Sequence, residues 1–160
     1  MGLLKLIVLI PVAIVAVIAI AFAFYEGRKA YWDYRIRVMC EDDGGVTIFD
    51  NVAVTDEHVS SLPRVDGLLG VAPENLAKAS EPVFSRIDRT SIRDGEPSVI
   101  RYEQKIIRRN DGEIIATAVM YARSGGDIPS MAFPSSYYCP DQREINREIN
   151  QIFRIEEGLK

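Results

Sequence analysis

A chain of 160 residues with net charge −4 and no internal repeat has the length and composition of one small globular unit, and excludes collagen-like, low-complexity and disordered classes. Lysine and arginine are outnumbered by acids overall, and their mild excess over residues 83–123 is too small to suggest a nucleic-acid partner. A single histidine, His58, and two distant cysteines rule out a histidine-built metal cluster and any zinc-ligand spacing. The expectation is therefore a protein with no cofactor, no metal and no catalytic residue.

Residues 6–24 carry no charged or polar side chain. As a helix, a run of that length is about 28 Å long, which matches the hydrocarbon core of a bilayer. Helix is the one fold open to a lone segment in lipid, because its backbone must satisfy its own hydrogen bonds there. Lys5 ahead of the run and Ala21-Phe22-Ala23 at its end have the look of a cleavable leader. The run is longer than leaders carry, however, and Tyr25, Tyr31, Trp32 and Tyr34 follow it. Such aromatics settle at the membrane–water interface, with ring buried and polar tip wet. Residues 1–25 are read as a retained anchor.

The positive-inside rule sets Lys5 against Arg28, Lys29, Arg35 and Arg37 and would place the following domain in the cytoplasm. The leader-like start, and a disulfide if Cys40 and Cys139 pair, point to the outer side. The reading adopted is a bacterial inner-membrane protein, single-pass, with a periplasmic domain. Glu41, Asp42 and Asp43 directly after Cys40 disfavour a reactive thiolate, so a structural Cys40–Cys139 bridge is expected.

Residues 26–45 read as a juxtamembrane helical stalk, either continuous with the anchor or restarting after Gly27, and ending at Gly44-Gly45. Three acids in the last turn oppose the helix dipole and predict fraying near Cys40. Residues 46–160 are the soluble α+β domain. Residues 46–54, rich in β-branched side chains, predict one strand, and 83–93 a second. Residues 73–79 predict a brief helix started by Pro73.

The hairpin around Asn110-Asp111-Gly112 is the sharpest local signal. A two-residue loop would scatter apolar and charged side chains over both faces. A three-residue loop sets Ile106 opposite Ala116, Tyr102 opposite Met120 and Ile100 opposite Ala122, with Arg101, Glu103, Lys105 and Thr117 behind them. One slip exchanges the faces, so the three-residue loop is expected.

Residues 124–140 form a long connection with Met131, Phe133, Tyr137 and Tyr138 as interaction-loop candidates. Residues 141–157 predict an amphipathic C-terminal helix with Ile145, Ile149, Ile152 and Phe153 on one stripe. The expected architecture is α+β: one N-terminal transmembrane helix, an antiparallel sheet of about four strands, and a C-terminal amphipathic helix. Arg86, Arg89, Arg93, Arg101, Arg108 and Arg109 could line a groove for an anion if they converged.

The functional expectation is a non-catalytic, membrane-anchored accessory or structural subunit of a bacterial envelope assembly. Its partners would be the lipid bilayer and other membrane or envelope proteins. The alternative is a membrane-tethered periplasmic binding module for a small anionic ligand or peptide.

Overall fold

The computed structural model describes residues 2–55, 59–60, 62–127 and 134–155. Helix α1, Gly2–Asp43, is one uninterrupted rod that takes Pro11 and Gly27 in stride. Its first half is long and apolar enough to cross a membrane. The side chains there turn away from the rest of the chain, with Ile20 69% and Val17 66% exposed. An apolar surface of that extent calls for lipid or a partner. The helix stops where glycine allows: Gly44 N–H donates to the Cys40 carbonyl, and Gly45 takes φ +110°.

Strands follow as β1 (Gly45–Ile48), β2 (Val52–Val54), β3 (Arg64–Val65), β4 (Leu68–Leu69), β5 (Val83–Arg93), β6 (Ser98–Arg108), β7 (Ile114–Ser124) and β8 (Ser136–Cys139). Helix α2 (Gln142–Ile149), a 3₁₀ turn (Asn150–Ile152) and β9 (Phe153–Ile155) complete the chain. The main sheet is antiparallel, in the order β1-β7-β6-β5. β1 pairs the first half of β7 and β8 its second half, so one edge of the sheet is shared by two short strands. The sheet thus has five strands rather than about four. The fifth, β8, lies inside the segment expected to be a connection.

The hairpin takes the expected register: Ile106 opposes Ala116, Tyr102 opposes Met120 and Ile100 opposes Ala122. Gly112 sits at φ +75° and its N–H closes on the Arg108 carbonyl. A register step between Ile106 and Ile107 leaves Ile115 as the extra residue. Its carbonyl accepts from the N–H groups of Phe49 and Asp50, which bends the chain out of β1. The expected single strand over 46–54 is accordingly broken in two. β1 stays with β7, whereas β2 pairs in parallel with β9.

The predicted helix over 141–157 is also cut short. α2 ends at Ile149, and Phe153 lies in β9 rather than on the helical stripe. Pairing with β2 outweighs the helical period there, because it satisfies the backbone of two short segments at once. Residues 73–79 form a turn, with Leu76 and Ala77 N–H groups on the Pro73 carbonyl, instead of a helix.

Both faces of the sheet are covered. Ile145, Ile149 and Ile152 pack with Val52, Val54, Val83, Ile106, Ala116 and Ala118 on one side. On the other, Ile36 and Cys40 of α1 pack with Val99 and Tyr121. Asp141 caps α2, its side chain accepting from Arg143 N–H.

Candidate functional site

The second half of α1 is a wall of the domain, not a free stalk. Trp32, Asp33, Ile36, Cys40 and Asp43 recur at helical spacing and all meet the sheet. Ile36 is completely buried. Cys40 and Cys139 are joined by a disulfide with Cα atoms 5.9 Å apart, linking α1 to the end of β8. A closed loop of this length removes about 4.7 kcal/mol of unfolded-chain entropy.

Polar groups fix the rotation of the helix around that apolar seam. Arg123 of β7 is 2% exposed and donates through Nε to Asp33 Oδ1 at 2.5 Å. Its other arm reaches the Gly125 carbonyl and Ser135 Oγ. A buried pair of this kind adds little net stability over apolar packing, yet leaving one member alone is costly. Its contribution is therefore register.

At the last residue of the helix, Asp43 accepts from the Tyr121 hydroxyl at 2.6 Å and from Arg101 at 3.0 Å. These two donors neutralise an acid that opposes the helix dipole, and the fraying expected near Cys40 does not occur. Burial, together with the bond to Asp43, pushes the Tyr121 phenol above its usual range. At the other end Lys29 bridges Glu26 and Asp127 at 3.3 and 3.4 Å. The Asp127 carboxyl is held below the usual carboxylate range, chiefly by the Ser135 backbone N–H and then by the Ser135 hydroxyl and Lys29, against an opposing burial effect.

The expected interfacial aromatics divide. Tyr31 and Tyr34 are exposed and Tyr25 is half-buried. Trp32 faces inward, with the Arg93 guanidinium 5.1 Å from its ring and Tyr31 edge-on to it. Of the loop candidates, Tyr137 packs beside the disulfide and Tyr138 is 51% exposed. Met131 and Phe133, like His58, lie outside the described residues.

The six strand arginines do not converge on one groove. Arg86 pairs with Glu74, Arg89 lies over Tyr102, and Arg93 donates to the Pro97 carbonyl. Arg101 serves Asp43 and Glu103. Only Arg108 and Arg109 share a cleft, an open one of about 570 Å³ formed by residues 50–53, 79–82 and 108–110. Arg108 is committed to Asp50 and Asp111. Both of those carboxyls are held below their usual range, Asp50 first by the Asn51 N–H and Asp111 first by the Glu113 N–H.

Arg109 stacks over Phe84 and donates through Nε to the Glu81 carbonyl at 2.8 Å. Glu81, 3% exposed, has a buried Oε2 with no hydrogen-bond partner among the described residues. A buried carboxylate oxygen without a donor costs several kcal/mol as an order of magnitude. Nothing in the sequence marked Glu81, because one acid before a proline looks like any surface turn. The helix seam was not expected either, although Trp32, Ile36, Cys40 and Asp43 recur at helical spacing.

No protein-family model, curated protein or solved structure matches this chain.

Proposed function

We propose that the chain is a single-pass subunit of a bacterial envelope assembly, with its domain on the periplasmic side and a structural or accessory rather than catalytic part to play. The observation that carries this reading is that one continuous helix serves as both candidate span and structural wall. Ile36, the Asp33–Arg123 pair and the Cys40–Cys139 bond tie that helix to the sheet. A domain clamped in this way cannot swing about a linker. It presents its surfaces at a fixed height and a fixed rotation above the bilayer, which suits a component that other subunits dock against.

The disulfide supports an oxidising compartment and outweighs the charge count around the helix. Lys29, one of the four cations after the span, is itself paired with Glu26 and Asp127. Hydrogen-bonding and charged groups at the seam serve its geometry, which is the pattern of a scaffold.

Two measurements test the proposal together. Membrane fractions extracted in mild detergent are sized with and without lysine-reactive cross-linking, and intact cells are labelled at cysteine with and without reductant. The proposal expects a particle larger than one protomer and labelling that requires reductant. Recovery at protomer mass, free cytoplasmic thiols, or a trimmed chain in the soluble fraction would contradict it.

A further inference from the structure

The cleft around Glu81 lies at the far end of the sheet from the anchor. β7 runs from Ile114 beside the hairpin to Ser124 near Arg123, the partner of Asp33, and Asp127 beyond it meets Lys29 on the membrane side of α1. Residues 108–110 close the opposite end of β6 and β7, one strand length, or about 34 Å, away. The cleft therefore lies at the end of the sheet far from the candidate span.

Its chemistry is incomplete in two matching ways. Glu81 is buried in its wall with Oε2 lacking a donor. The two cations close by do not supply one: Arg108 is held by Asp50 and Asp111, and Arg109 spends Nε on the Glu81 main-chain carbonyl. Arg109 is itself exposed, and its two terminal nitrogens have no acceptor among the described residues. A carboxylate in want of a donor thus shares the wall of one cleft with a guanidinium in want of an acceptor. Val52, Ala53 and Pro82 give the cleft an apolar lining between them.

We propose that this cleft binds a small zwitterion, with its protonated amine on the Glu81 carboxylate and its own carboxylate on Arg109. Charge-assisted bonds at both ends suit this pairing, and a planar guanidinium receives a carboxylate through two parallel bonds. A purely anionic ligand would leave Glu81 unpaired and add repulsion. A purely cationic one would leave Arg109 free and meet it at close range. This inference goes beyond the scaffold role and stands or falls separately from it.

The test uses the full chain in lipid nanodiscs, isotope-labelled, titrated with dialanine, with N-acetyl-dialanine and with dialanine amide, and read by backbone amide shifts. Saturable shifts confined to residues 50–53, 79–82 and 108–110 are expected with dialanine. Removing either charge should weaken binding by about tenfold or more. Glu81→Gln should erase the preference for the free amine, and Arg109→Ala the preference for the free carboxylate, with amides of β7 and the second half of α1 unmoved in both variants. Arg109→Ala, on the surface, keeps the test open if Glu81→Gln fails to fold. No saturable shift, equal affinity for all three compounds, or shifts indifferent to both substitutions would overturn the proposal.

Discussion

Arg123 shows how one side chain can set the position of a whole element. It is buried near the end of β7, a strand otherwise built of apolar and small residues, and four oxygens from three segments converge on it. Truncating it leaves Asp33 without its partner at the seam, so Arg123→Ala is expected to cost about 3 kcal/mol, the low end for a broken buried pair because Asp33 is partly exposed. Arg123→Lys should recover only part, since one ammonium cannot fork between Asp33 and the loop carbonyls. Urea unfolding of the detergent-solubilised protein measures both.

Asp127 gives the pH dependence at the same scale. Its folded-state value lies below the ordinary 3.8, so its contribution is present above that value and is lost as pH falls through the depressed one. Denaturation followed from neutral pH to below about pH 4 should therefore show Asp127→Asn less stable at the neutral end and less sensitive to acid than the parent.

At the scale of elements, the disulfide and the seam act together. Replacing both cysteines by serine should lower stability by up to about 4.7 kcal/mol, read as a fall in the thermal midpoint that reductant reproduces in the parent and not in the variant. The fall should leave secondary structure intact, because Ile36 and Arg123 still hold the helix.

What was legible in the sequence follows from how local each signal is. The β6–β7 register could be read outright, because one slip would have exchanged Ile106 and Tyr102 for Lys105 and Arg101. The end of α1 could be read from Gly44-Gly45. The ends of other elements could not, since they were decided by partners far along the chain. β2 leaves β1 because β9 pairs with it, and α2 stops at Ile149 for the same reason. The covering of the second sheet face was missed because Trp32, Ile36 and Cys40 are spaced among charged residues and lie directly after a run apolar on every side, where a stripe does not stand out. Glu81 was invisible: the burial of a single acid in a turn is set by segments distant in the chain, Arg109 of the hairpin among them.

The whole molecule is a helix with two environments, a candidate membrane span in its first half and a protein sheet against its second. That arrangement fixes the domain relative to the candidate span, with the Asp33–Arg123 seam on the near side and the Glu81 cleft on the far side. It differs physically from a domain on a stalk in the coupling of the 26–43 backbone to the fold. A stalk helix in water opens by itself, because short isolated helices are marginal, whereas a helix that is part of the core opens only with it. Amide hydrogen exchange of residues 26–43 in lipid nanodiscs is the most direct test. The clamped helix predicts protection equal to that of β7 for the amides of residues 32–43, lowered in step with β7 on reduction or in Arg123→Ala. Exchange of those amides at rates typical of an exposed helix, while β7 stays protected, would contradict it.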